Sequence, residues 1–169
     1  MISKIKTTCL IILFCSVNVH CFAYEYIPDV IYAKVIKIVD GDTIYLGHKK
    51  YGKIKVRLAE IDTPERDQPY GKKATAVLKK MILKKSVELH KVTIGKYKRL
   101  VGIIYLNNLE INYYLVRNGF AWCYDKYHYR EKIKKAENQA RSEKIGLWSS
   151  KKKAIAPWNW RKNKRKVNE

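Results

Sequence analysis

Apolar residues recur through three early stretches of the chain, Tyr32 to Val39, Asp42 to His48 and Lys53 to Glu60, all rich in β-branched and aromatic side chains, and from Lys53 to Leu58 they alternate with charged ones. Such stretches predict strands, and the DGD and HKKYG segments between them supply turn residues, so an antiparallel meander is expected. From Tyr70 to Lys85 the period changes. Ala74, Val77, Leu78, Met81 and Ile82 recur at helical spacing with lysines on the remaining face, which predicts an amphipathic helix laid over a core. SVELHKV and RLVGIIYL return to strand patterning, with Lys91 to Lys98 as the loop between them. A short helix from Asn112 to Asn118, stopped by Gly119, and a longer polar one from Tyr129 to Lys144, closed by Gly146, follow.

Three strands, a helix, two strands and two helices lack the regular alternation of a doubly wound sheet. The order predicts an α+β domain: a β-barrel with appended helices, of the OB type, with five strands in a Greek key and three α-helices. The chain contains no internal repeat. Its 169 residues suffice for one domain with a sizeable core, and so for one site.

The first residues depart from these patterns. Lys4 and Lys6 precede an apolar run from Cys9 to Val17, and small Ala23 leads into polar YEY, the layout of a signal peptide. The run is shorter than the roughly 20 residues that span a bilayer, so residues 1–23 are expected to be removed, with no stable membrane insertion afterwards. That leaves a domain over 24–149 and a basic tail over 150–169. The mature protein is expected outside the cytoplasm, secreted or periplasmic. Of the four cysteines only Cys123 survives, so no internal disulfide is possible, and within FAWCY it reads as a small buried residue.

The formal charge of +21 falls to +19 without Lys4 and Lys6. An excess of this size attracts polyanions through counterion release, and nucleic acid is the commonest polyanion; a basic soluble surface or attraction to anionic membranes is the alternative. Charge alone names no reaction. The tail beyond Trp148 lacks apolar periodicity and reads as mostly extended, with Trp158 and Trp160 able to dock.

In so basic a chain two acidic clusters stand out, Asp40 and Asp42 in VDGDT, and Asp62 and Glu65 in IDTPE. Antiparallel pairing puts the start of the second strand and the end of the third at one end of the sheet, where Asp42 and Asp62 can share an ion. Oxygen donors suit a hard cation such as calcium or magnesium, and no Cys or His spacing suits zinc. Taken alone, VDGDT is also an ordinary hairpin turn. Arg57 on the strand leading into the acidic loop, and Arg99 at the start of a later strand, are the guanidinium groups that a phosphodiester needs as charge grows on its non-bridging oxygens; singly, each can equally be a surface ion pair.

VDGDT, VRLAEIDTPE, KYKRLVG, LVRNGFAW and GLW, in that order, resemble the thermonuclease or staphylococcal nuclease family over about Ala33 to Trp148, and PWNWRK resembles the tail of its exported members, which favours docking of the tail. The resemblance implies a calcium-dependent, sugar-nonspecific nuclease that hydrolyses DNA and RNA to 3′-phosphorylated products. It implies that Asp42, Asp62 and the carbonyl of Thr63 bind calcium, that Glu65 activates water, and that Arg57 and Arg99 hold the phosphate. Lys96, Tyr97 and Tyr124 would contact substrate, the tyrosines by stacking on bases. No protein partner is implied and a monomer is expected. The family loop before the second arginine reads Asp-x-Tyr-Gly-Arg, whereas this chain has Gly95-Lys96-Tyr97-Lys98-Arg99; Gly95 is expected to take over the tight turn.

Overall fold

The first strand, β1 (Val30–Ile38), turns Ile31, Ala33 and Val35 inward and Tyr32, Lys34 and Ile36 to solvent. The computed structural model to which it belongs describes residues 27–95, 99–126, 129–150 and 153–167. The expected leader, and Lys96 and Tyr97, lie outside the described residues.

Strands β2 (Thr43–His48) and β3 (Gly52–Leu58) complete the meander, and a two-residue strand β4 (Ile61–Asp62) leads to helix α1 (Gly71–Ile82). Then come β5 (Ser86–Ile94), β6 (Leu100–Leu106), the short β7 (Leu109–Glu110), α2 (Ile111–Arg117), β8 (Trp122–Cys123), α3 (Glu131–Ser142), a 3-10 turn (Gly146–Trp148) and α4 (Pro157–Val167). The sheet runs β3-β2-β1-β5-β6-β7, and a parallel pairing of β3 with β6 closes β1, β2, β3, β5 and β6 into a five-stranded barrel. The OB-type expectation holds. Closure removes open edges from these five strands, and Val35, Ile44, Leu46, Val56, Leu89 and Ile104 fill the interior with essentially no exposure.

Helix α1 buries Ala74, Leu78 and Ile82 and leaves its lysines outside. It stops short of the expected Lys85 because Leu83 turns to an extended conformation, followed by Lys84 at a left-handed φ of 65°. Asn112 ties α2 to the barrel: its side-chain amide donates to the carbonyls of Ala59 and Gly102 and accepts from the Ile104 N–H, so a fully buried polar group is satisfied on every side. Cys123 is buried as expected, and burial pushes its thiol up to about 12, which keeps it protonated at neutral pH.

The tail corrects the reading of the sequence. Among the described residues there are four α-helices where three were expected, because Pro157–Val167 is helical where an extended segment was expected. Proline suits a first helical turn, and Lys164, Arg165 and Lys166 suit a last one, where cations face the negative end of the helix dipole. Apolar periodicity failed as a signal because one side chain does most of the docking: the Trp158 ring lies 5.8 Å from Trp122 and 5.7 Å from Tyr124, beside buried Ala156.

Candidate active site

Two loops meet at the end of the barrel where β2 begins. The DGD loop turns out of β1, with Asp40 and Val39 N–H groups both bonding the Thr43 carbonyl, and delivers Asp42 at the foot of β2. Register then sets Thr43 opposite Arg57 on β3, and β4 carries Asp62 and Thr63 back across the same end. The loops touch. Asp42 Oδ2 accepts the Thr63 backbone N–H at 2.8 Å and its hydroxyl at 2.9 Å, and a Cβ on Gly41 would lie 2.6 Å from the Thr63 hydroxyl, so only glycine fits between them.

Arg57 fastens the two carboxylates together. Its Nη1 lies 2.9 Å from Asp42 Oδ2 and its Nη2 donates to Asp62 Oδ1 at 2.9 Å. One guanidinium spans both, so Asp42 and Asp62 stand together at one end of the barrel, as the meander predicts. Asp62 is almost wholly buried, and burial raises its pKa against the opposing pull of Arg161 and Arg57. Asp40 bonds back to the Asp42 N–H at 3.0 Å, and burial together with the neighbouring Asp42 charge pushes its carboxyl up to about 6. Negative charge is thus crowded and desolvated here, as in a site suited to a cation.

Among the described residues no group of three or more acidic, histidine or cysteine side chains forms a complete metal cage. The donor chemistry still fits a hard cation: the available ligands are carboxylate oxygens and backbone carbonyls, each carboxylate has lone pairs beyond those used by Arg57, and such ions complete their shells with water and phosphate oxygens.

Glu65 reaches the site through a residue that the sequence reading left without a role. Arg161 of α4 donates to Asp62 Oδ2 at 2.7 Å and to Glu65 Oε1 at 2.6 Å, and the two carboxylates raise the pKa of its guanidinium although burial works against them. The signal was present in PWNWRK, but nothing local says where that arginine points. The Glu65 backbone is fixed independently: its N–H donates to Gln68 Oε1, its carbonyl accepts the Gln68 N–H, and a Cβ on Gly71 would come within 1.7 Å of that carbonyl. Gln68 also donates to the Ile155 carbonyl at 2.6 Å, and Lys164 pairs with Asp67. The acidic loop and the tail therefore form one docked unit.

Arg99 stands apart from this network. It precedes β6 by one residue and lies two before Val101, the registered partner of Arg57, which puts both arginines on the same side of the closing strand pair. Its Nε is buried and has no hydrogen-bond partner among the described residues, a donor left for a ligand. Gly95 donates its N–H to the Arg99 carbonyl at 2.9 Å, and its φ is not positive; the turn it was expected to take over lies at 96–98, outside the described residues. Tyr124 bonds the Glu60 carbonyl through its N–H and sets its ring beside Trp158. The site thus brings together Asp42, Arg57, Asp62, Thr63 and Glu65, with Arg99 at its margin.

A family model described as staphylococcal nuclease homologue matches residues 55–150. An uncharacterized endonuclease of Haemophilus influenzae is 36% identical over 135 residues, covering 80% of this chain and 75% of that protein. One of Escherichia coli is 32% identical over 144 residues, covering 85% and 93%. A staphylococcal-like nuclease of Arabidopsis thaliana is 41% identical over 116 residues, which are 69% of this chain and 36% of that longer protein.

Proposed function

We infer the reaction from the family to which this chain belongs, the staphylococcal nuclease homologues: a calcium-dependent hydrolysis of phosphodiester bonds in DNA and RNA, without selectivity for the sugar, leaving 3′-phosphorylated products. The observation that carries the reading is the single Arg57 guanidinium bonded to both Asp42 and Asp62, with Glu65 joined to Asp62 through Arg161.

Asp42, Asp62 and the carbonyl of Thr63 would hold calcium, which when bound supplies positive charge to a non-bridging phosphate oxygen. Arg57 is oriented by its carboxylates so that its guanidinium faces the site, and Arg99 brings uncommitted donors to the phosphate; both oppose the charge that grows in the transition state. Glu65 accepts a proton from the attacking water. A carboxylate is a weak base, so charge stabilisation provides most of the acceleration and Glu65 mainly orients the water. Lys96, Tyr97 and Tyr124 are proposed substrate contacts by their place in the family motifs. Export through a cleaved leader, to the periplasm or the medium, and action as a monomer belong to the same proposal.

Single-stranded DNA incubated with the purified protein, with calcium and then with chelator, tests the reading. Hydrolysis that requires calcium, and that Glu65→Gln slows by about 100-fold or more while DNA binding persists, is the expected result. Binding without hydrolysis in calcium would identify a noncatalytic module, and full activity after complete removal of calcium would exclude the metal role.

A further inference from the structure

Helix α4 does more than close the chain. Its two tryptophans are two positions apart and so face nearly opposite ways: Trp158 is the anchor among Trp122, Tyr124 and Ala156, which leaves Trp160 for the other side. There, Trp160, Arg161, Lys164 and Arg165, at the spacing of one helical face, line a cavity of about 290 Å³ whose opposite wall is Glu65 and Asp67. That volume is at the lower end of the range for small-ligand sites, roughly 300 Å³. A second, larger cavity of about 710 Å³ shares Asp67 and continues past Tyr70, Lys72 and Lys73 on the first turn of α1.

The charges along this cleft decide what it can take. Lys164 pairs with Asp67 and Arg161 with Asp62 and Glu65, so those cations are compensated. Arg165 is exposed and makes no ion pair among the described residues, and α4 contains five cations and no acid. An indole beside an uncommitted guanidinium is the combination that binds single-stranded polynucleotide: the aromatic face stacks on any base, and the cation holds the neighbouring phosphate. Because the cavity opens from Glu65, whatever occupies it adjoins the reacting phosphate.

We propose that α4 forms a subsite for the polynucleotide flanking the cleaved bond, with a base stacked on Trp160 and its phosphate held by Arg165. Resting on the nuclease reading, this makes the C-terminal helix a determinant of preference for long substrates over short ones.

The experiment compares kcat/KM for an oligothymidylate of about 12 nucleotides with that for the dinucleotide, in wild type, Trp160→Ala and Arg165→Glu. Stacking and a phosphate contact predict that the ratio falls about tenfold in each variant. Lys162→Glu, the same charge reversal on an exposed position that does not line the cavity, should keep the wild-type ratio. Arg165 is exposed, so its substitution keeps the fold even where Trp160→Ala disturbs it. Both cavity variants retaining the wild-type ratio, or Lys162→Glu losing it equally, overturns the subsite and leaves the nuclease reading intact. Wild type cleaving neither substrate sinks the nuclease reading instead, and the subsite is then decided by anisotropy of the labelled oligothymidylate in calcium-free buffer, where affinity must weaken about tenfold in the two cavity variants and not in Lys162→Glu.

Discussion

Arg161 and Asp62 lie 99 positions apart in the chain and 2.7 Å apart in space. The contact neutralises a carboxylate that is 2% exposed with an arginine side chain that is itself 36% exposed. Removing the arginine leaves that buried charge with Arg57 alone. Arg161→Ala should therefore destabilise the cation-free protein by about 1 to 2 kcal/mol, between the values for exposed and buried pairs. If Asp62 also binds calcium, the ion takes over part of the missing charge and the deficit shrinks in its presence. Urea unfolding with and without calcium measures both quantities, and an equal deficit in each buffer would separate Arg161 from the cation site.

Gly71 sets the position of Glu65 from outside the site. A methyl group there would lie 1.7 Å from the Glu65 carbonyl oxygen, against backbone that is itself bonded to Gln68. Neither side can yield as a flexible side chain would. Gly71→Ala is expected to cost about 3 kcal/mol and to displace Glu65. Since misplacement by about an ångström costs on the order of 100-fold in rate, kcat should fall that far even in the molecules that remain folded. Unfolding curves together with turnover at a temperature where the variant is native check both effects.

These two contacts mark what the sequence could and could not convey. The five barrel strands were legible because each is rich in β-branched and aromatic residues and bounded by turn or loop segments, and the meeting of Asp42 and Asp62 followed from antiparallel pairing. The two-residue strands β4 and β8 are too short to have a period, although their pairing of Asp62 with Trp122 helps bring the tail to the site. Helix α4 has no apolar stripe, so its structure depends on a tertiary pocket for Trp158 that no local pattern reveals. Arg161 and Gly71 act across contacts whose meaning appears only once the chain has closed.

The two arginines assigned to the phosphate should separate by their stability effects. Arg57 is 15% exposed and bonded to two buried carboxylates, whereas Arg99 makes no ion pair among the described residues. Arg99→Ala is expected to reduce kcat about 100-fold while changing stability by about 0.5 kcal/mol or less. Arg57→Ala removes a proposed phosphate ligand and also leaves Asp42 without its guanidinium and Asp62 with Arg161 alone, so it should lose activity and about 3 kcal/mol. Calcium should recover part of that stability. Equal stability losses in the two variants, read from denaturant midpoints at constant slope, would contradict the division of roles.

Acid should weaken the molecule at the network of Glu60, Arg130, Glu110 and Lys132. Arg130 donates to both glutamates, with Nη2 at 2.6 Å from each, and Lys132 reaches Glu110 at 2.7 Å. Burial alone raises the pKa of Glu110, but the hydrogen bonds from Arg130 and Lys132 outweigh it and hold the carboxyl below its usual value of 4.5. A carboxyl with a lowered folded pKa stabilises the protein above its unfolded value, and that contribution is lost as pH falls through the folded one. Unfolding free energy should therefore decline between about pH 5 and 3, and Glu110→Gln should flatten that slope while lowering stability at pH 7. Arg130→Ala, which takes the guanidinium from Glu60 and leaves Glu110 with Lys132, should cost about 3 kcal/mol at pH 7, and part of that cost should disappear at low pH as Glu110 takes up its proton. An undiminished cost at pH 3 would mean that Arg130 acts through packing and not through its charge.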